Sequence, residues 1–468
     1  MLIKKLYLPC LLMFFILLSS GPIKAQSGAD QNVPPNIIII FMDDMGYGDL
    51  SSAGHPSLRT PNIDRLSTEG QKWTNFYTAS SVCSPSRGAL LTGRYPIRIG
   101  LAGENKRVFF PESTGGLPSN EITIAEMLKQ KGYKTGIVGK WHLGHLPEYL
   151  PTRQGFDYYF GIPFSNDMNA VKWGLETFLS EPDINMWQVP LMENEEVIEQ
   201  PANQFTITKR YTEKAIDFIN ENKGEPFFLY LAHSMVHTPL FASRGFQNTS
   251  VRGLFGDVMN EVDWSVGRII QTLETLDLDK KTLVVFTSDN GPWLMMREHG
   301  GSAGLLRDGK GTTWEGGMRV PGIFYMPGKI SPGIKTDLGC TLDLMPTIAA
   351  MSGTELPGDR VIDGVDMSPV LFDNQKGNRD HFIYYRKNKI YAVRKGPYKA
   401  HYITETCYTE DNERKEYEIP LLFDVNMDPG EHYNHAEDFP EVIRDIDLLV
   451  KAHKSTVKYV ASELEKYD

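Results

Sequence analysis

Four short, mainly apolar runs, at residues 36–41, 134–138, 227–231 and 283–286, constrain this chain more than any other feature. The first is Asn36 followed by four isoleucines and Phe41. A strand with one face in water alternates apolar and polar residues. An unbroken β-branched run is what a strand buried on both faces requires. Between these runs lie stretches with helical apolar spacing, at 121–131, 206–222 and 257–276. Strand alternating with helix predicts an α/β protein, its mostly parallel sheet sandwiched by helices.

Each run also ends in residues able to do chemistry: Asp43-Asp44, then Lys140 and His142, then His233 and His237, then Asp289-Asn290. In open α/β sheets, sites assemble beyond the carboxyl ends of the strands, so four strand ends point to one rim. Asp43, Asp44, Asp289 and Asn290 offer hard oxygen donors, which favour calcium or magnesium over zinc. Either pair alone also reads as a turn; two pairs at the ends of two buried strands favour a metal. His142 and His237 can move protons near neutral pH, whereas His233 reads as a core or supporting histidine. Lys140, in Gly139-Lys140-Trp141-His142-Leu143-Gly144, and Lys310, in the glycine-rich 309–317, are candidates for gripping a tetrahedral oxyanion. The second stretch lacks P-loop spacing. Ser165 is a further candidate, and a helix cap or turn explains it nearly as well.

Cys83-Ser84-Pro85-Ser86-Arg87, continued to Gly93-Arg94, reads as a short helix with proline in its first turn and glycine at its stop. Cys83 then sits at or beside the N-cap, where free N–H groups and the dipole's positive end receive an anion. Arg87 lies one turn in. A nucleophile beside an oxyanion site has this arrangement, and so does a small buried cysteine.

At 468 residues the chain exceeds one ordinary core, and two domains are expected. We read 33–375 as the larger domain. After it come short, closely spaced strands at 381–386, 389–394, 398–402 and 421–425, then a helix over 441–466. These predict a smaller α+β domain, 376–468, built on an antiparallel sheet. Residues 1–25 read as a secretory signal: Lys4 and Lys5, an apolar core over 6–18, then small residues to a cut near Ala25. That core is too short for a membrane span, and no later segment approaches one. The protein is expected to be exported, periplasmic or secreted. Losing Lys4, Lys5 and Lys24 would take the net charge from −11 to about −14. This balance argues against a nucleic-acid partner and requires a locally basic pocket for an anionic substrate. Three cysteines remain beyond the leader, Cys83, Cys340 and Cys407. An odd number leaves one thiol over. Cys340 and Cys407 are a candidate disulfide pair that spacing alone does not establish.

The stretches 83–94, 132–144 and 309–321 resemble the signatures of type I, formylglycine-dependent sulfatases, and the likeness runs from about residue 35 to 434. Leu421-Leu422-Phe423-Asp424 with Asp428-Pro429-Gly430-Glu431 resembles their C-terminal domain. Residues 304–317 most resemble the arylsulfatase A and N-acetylgalactosamine-6-sulfatase branch. The resemblance implies an alkaline-phosphatase-like fold and hydrolysis of sulfate esters. It implies that a separate maturation enzyme oxidises Cys83 to formylglycine (3-oxoalanine), whose hydrate is the nucleophile and later releases sulfate. It implies one calcium ion (Ca2+) per chain, held by Asp43, Asp44, Asp289, Asn290 and the modified Cys83. By the same resemblance Arg87 stabilises the ionised diol, and Lys140 and Lys310 contact sulfate oxygens. His237, with Lys310, protonates the leaving alcohol. His142 takes the diol proton, and Ser165 adjoins the sulfate. The implied substrate is a sulfated carbohydrate of galactose or N-acetylgalactosamine type. Aromatic and basic residues of 156–187, with Arg386, His401 and Tyr402, are candidates for the sugar pocket. Two other functions compete. A phosphatase or phosphodiesterase of this fold needs a Ser or Thr nucleophile and a second metal. A non-catalytic binder of sulfated glycans would show a broken catalytic set, yet every expected position is filled.

Overall fold

The isoleucine run lies in the middle of a ten-stranded sheet. The computed structural model describes residues 34–406 and 414–467, so the expected leader and Cys407 lie outside the described residues. The strands are β1 (Asn36–Met42), β2 (Gln71–Tyr77), β3 (Lys134–Gly139), β4 (Tyr158–Gly161) and β5 (Leu191–Glu193). They continue with β6 (Glu196–Glu199), β7 (Phe227–Ala232), β8 (Thr282–Ser288), β9 (Gly322–Tyr325) and β10 (Gly333–Cys340). Their order is β10-β2-β9-β8-β1-β7-β3-β4-β5-β6. The block β8-β1-β7-β3-β4 is parallel, and β9, between β8 and β2, is antiparallel to both.

Every residue of β1, β7 and β8 is buried. Ile38 and Ile40 face a core shared with the helices Ile207–Asn222 and Leu254–Thr275. Ile37, Ile39 and Phe41 face a second core with the helices Ile124–Lys129 and Leu344–Ser352. Each such isoleucine contributes roughly 1.5–3 kcal/mol by leaving water, which is why neither face of β1 tolerates a polar residue.

A second, antiparallel sheet runs in the order β11 (His381–Arg386), β12 (Lys389–Lys395), β13 (Tyr398–Thr404), β14 (Lys415–Asp424). Strand β14 begins earlier than its apolar segment predicts. The polar start of this edge strand pairs through its backbone, Glu416 with Ile403. The last helix, Pro440–Thr456, is shorter than expected. Arg98 stops it by donating to the Thr456 carbonyl at 2.8 Å, a cation set on the negative end of the helix. The remaining tail docks back on the larger part: Glu463 N–H bonds the Gly100 carbonyl at 2.8 Å, and Leu464 is fully buried. Among the described residues no helix is long and apolar enough to cross a membrane.

Candidate active site

Register brings the strand ends together. Met42 pairs with Ser288 across β1 and β8, so Asp43-Asp44 and Asp289-Asn290 emerge side by side. Gly139 pairs with Ala232 across β3 and β7, which sets Lys140 and His142 beside His233 and His237. A Cβ at Gly139, where φ is +123°, would lie 1.8 Å from the Ala232 carbonyl oxygen, so only glycine fits. Cys83 begins the helix Cys83–Thr92, with Pro85 in its first turn. Gly93 closes it in the left-handed conformation, as the sequence predicts.

Two buried cations, Lys140 and Arg87, and the partly buried Lys310 interleave with the carboxylates. Lys140 Nζ donates to Asp43 Oδ2 at 2.6 Å and to Ser165 Oγ at 3.1 Å. Lys310 Nζ lies 2.8 Å from the Asp44 carboxylate. Arg87, with no exposed surface, grips Asp289 Oδ2 through Nη2 (2.8 Å) and Nε (3.2 Å). Its Nη1 donates to the Lys140 carbonyl at 2.9 Å. The Cys83 thiol approaches Asp43 Oδ1 at 3.7 Å. His237 Nε2 lies 3.6 Å from Asp44. Ten of the residues singled out from the sequence therefore converge, Asp43, Asp44, Cys83, Arg87, Lys140, His142, His237, Asp289, Asn290 and Lys310, with Ser165 beside them against Lys140.

Burial pushes the Cys83 thiol far up, against the pull of Lys140 and Lys310, so the thiol is neutral. Burial would also raise Asp43, but Lys140, His237, Arg87 and Lys310 outweigh it and hold the carboxyl below its ordinary range. Asp289 goes the other way, raised by burial and by the Asp43 charge. Burial and Lys140 push His142 well down. His237 is lowered by burial and Lys310, opposed by Asp44, Asp43 and Asp167.

The cluster could hold a metal ion, with the Asp43 and Asp44 carboxylates as its hard donors. Ligand atoms of Asp43, Asp44, Cys83 and His237 lie within 4.8 Å of one another. Asn290 Oδ1 is buried with no hydrogen-bond partner. An orphaned acceptor beside crowded carboxylates is what such an ion would satisfy. Asp289 stands just outside that tightest group, held by Arg87 and by the Asp44 N–H at 3.2 Å.

Other expectations land elsewhere. His233 is wholly buried with Ser265, as a core histidine. His401 is not in a sugar pocket: it is buried under Trp314 and bonded to Glu431 at 2.7 Å. Tyr402 bonds Asp447 on the last helix, and Arg386 pairs with Glu405 at 2.6 Å. Cys340 is buried as a free thiol. Sequence reasoning passed over Phe109, whose carbonyl accepts from His142 Nε2 at 2.9 Å, because a backbone acceptor carries no side-chain signal. It also passed over Trp293, beside His237, and Asp167.

A family model described as Sulfatase matches residues 35–354, and one described as C-terminal region of aryl-sulfatase matches residues 377–468. Arylsulfatase A of Bos taurus is 42% identical over 463 residues, covering 92% of this chain and 90% of that protein. N-acetylgalactosamine-6-sulfatase of Mus musculus is 40% identical over 465 residues, covering 92% and 88%. Among solved structures, the PsFucS1 sulfatase from Pseudoalteromonas sp. superposes with a TM-score of 0.81 at 29% identity, covering 93% of this chain and 92% of that one. The phosphonate monoester hydrolase SpPMH from Silicibacter pomeroyi shares the fold, with a TM-score of 0.65 at 16% identity over 91% of this chain and 96% of that one.

Proposed function

Because this chain belongs to the sulfatase family, enzymes that hydrolyse sulfate esters, we propose that it acts on an O-sulfated carbohydrate of galactose or N-acetylgalactosamine type, after export, with formylglycine made from Cys83 and one calcium ion. The observation that carries this reading is Cys83 itself. It opens a buried helix beside Asp43 and within the fields of Lys140 and Lys310, yet its thiol is pushed up, the reverse of a nucleophilic cysteine. Sulfur attack would also leave an adduct with no easy exit. A hydrated aldehyde at this position supplies one hydroxyl to attack and a second to release the sulfate. A calcium ion held by Asp43, Asp44, Asp289, Asn290 and residue 83 would draw charge from the sulfate oxygens and acidify the attacking hydroxyl.

The chain's own residues do the rest. Lys140 and Lys310, now held by Asp43 and Asp44, face the place where sulfate charge builds up, and Ser165 orients Lys140. Arg87, rigid between Asp289 and the Lys140 carbonyl, stabilises negative charge at residue 83. His237 commits Nδ1 to the Thr238 carbonyl and turns Nε2 into the site, to protonate the leaving alcohol. His142 commits Nε2 to Phe109, which leaves its buried Nδ1 as a bare acceptor for the hydroxyl proton. A two-metal phosphatase reading lacks support: among the described residues, the one group of three or more metal-capable side chains found is this one.

Peptide mass spectrometry of protein from its native host tests the reading. Position 83 is expected to carry formylglycine, and Cys83→Ala to lose turnover of sulfate esters while keeping the wild-type melting curve. Fully active enzyme with an intact thiol at residue 83 would refute it.

A further inference from the structure

Asp167 is left unused by the chemistry above. It is 6% exposed, and its Oδ1 is buried without a hydrogen-bond partner among the described residues. A buried carboxylate oxygen without a donor is costly, and in a native site it marks where a donor arrives. The two residues before Asp167, Ser165 and Asn166, are pinned. Ser165 Oγ takes the Lys140 ammonium at 3.1 Å. Asn166 Nδ2 donates to the Pro239 carbonyl at 3.0 Å, to Gln204 Oε1 at 3.1 Å and, more weakly, to the His237 carbonyl at 3.4 Å. Gln204 returns a bond to the Asn166 carbonyl at 3.0 Å. Asp167 directly follows these two anchored residues, one bonded to Lys140 and the other to the His237 carbonyl, and its charge acts on the His237 imidazole.

Trp293 stands beside the same histidine, with ring centroids 5.3 Å apart, and Lys310 Nζ lies 4.6 Å from its ring centre. The apolar surface continues outward. Phe178 packs on Trp293 at 5.8 Å and Trp173 on Phe178 at 5.0 Å. Trp173 is 63% exposed and Met295 49%. An aromatic ramp thus leads from solvent to His237, and exposed apolar surface at a polar site marks ligand contact.

We infer that Asp167 and Trp293 form the leaving-group subsite, and that it takes a pyranose whose free hydroxyl, next to the sulfated carbon, donates to Asp167. The sugar's C–H face lies on the Trp293 side. The inference rests on the sulfatase reading and on His237 as the acid. The leaving oxygen must reach His237 Nε2, so the atoms attached to it fall between the neighbours of that histidine. A pyranose offers both a hydroxyl donor and an apolar face, whereas a simple aryl group offers only the face.

The test compares wild type, Asp167→Asn and Asp167→Ala on sulfated galactose, on its analogue lacking the neighbouring hydroxyl, and on 4-nitrophenyl sulfate. Asp167→Ala should lower kcat/KM for the sulfated sugar about 10- to 100-fold, and for nitrophenyl sulfate by less than about 3-fold. Removing the hydroxyl from the sugar should cost wild type the same factor and the variant nothing further. Asp167→Asn, nearly isosteric and able to accept a weaker bond, should fall between. Equal losses on sugar and aryl substrates, or none on the sugar, would overturn the subsite while leaving the sulfatase reading intact. Matured wild-type enzyme that frees no sulfate from either class would instead overturn the reading beneath it.

Discussion

His142 and His237 hold opposite tautomers, and in each case a backbone carbonyl makes the choice. Phe109 takes Nε2 of His142 at 2.9 Å, and Thr238 takes Nδ1 of His237 at 2.6 Å. The nitrogens left over are Nδ1 of His142, a buried acceptor without a partner, and Nε2 of His237, 3.6 Å from Asp44, and the opposite proton transfers we propose for the two rings start from these atoms. Burial lowers both and Asp43 opposes the shift at each, but His237 has Asp44 and Asp167 opposing it as well, which favours it as the proposed proton donor. His237→Ala should therefore lower kcat/KM for a sugar sulfate by roughly 10²- to 10⁴-fold. The loss on nitrophenyl sulfate should be much smaller, because nitrophenolate leaves without a proton. Parallel losses on the two substrates, read from steady-state kinetics, would exclude the acid role.

At the scale of elements, the loop carrying Lys310 is held by the second sheet. Lys399 on β13 is fully buried, and its Nζ donates to the Thr313 carbonyl (2.7 Å), Glu315 (2.9 Å) and Glu431 (3.0 Å). Glu431 accepts the Glu315 N–H at 2.7 Å. Tyr77 and Tyr384 donate to Glu315 at 2.5 and 2.9 Å. Burial would raise Glu315, but Lys399, Arg319 and Arg394 hold it well below its usual range. Lys399→Met would strand two carboxylates without their shared cation. A cost of about 3–5 kcal/mol is expected, measured by urea unfolding. Turnover should fall as well, since residues 309–317 lose their anchor. A stability change within error would show that the network does not brace the loop. This network also marks where the sequence stopped being legible. The buried strands and the residues at their ends were readable because burial on both faces imposes a local pattern, and register then carries Asp43 to Asp289 and Lys140 to His237. Lys399 and Glu315, like Asp167 and His237, are neighbours only through loop closures set by distant packing. His401 fell to the same cause: its strand was legible, but its partner Glu431 was not.

Over the whole molecule, buried histidines tie stability to pH. His233, below the rim at the end of β7, has no exposed surface and its Nε2 lies 3.2 Å from Ser265 Oγ. Burial pushes it down from 6.5 to about 4. His453, on the last helix against Tyr385, is pushed to about 4 by burial, Arg98 and His381. The folded protein therefore keeps both rings neutral through a range in which the unfolded chain takes up protons. At these two sites the unfolded state binds more protons, so their contribution to stability rises with pH across this window and is lost as pH falls from about 6.5 towards 4. For His233 the slope reaches about 1.4 kcal/mol per pH unit, or roughly 2 kcal/mol between pH 6.5 and 5. His453 adds in the same direction from the second sheet, so both halves weaken together on the acid side. Urea unfolding at pH 7.5 and pH 5 is the measurement. Asp49 and Asp308, whose carboxyls burial raises to about 7 and about 6, act in the opposite direction, so the difference between wild type and a variant isolates His233. His233→Gln, whose amide can still meet Ser265, should lose less by about that 2 kcal/mol, even if it starts from a lower value at pH 7.5. Identical losses in the two proteins would mean that His233 is already protonated in the fold, and that its burial is not what sets the acid limit.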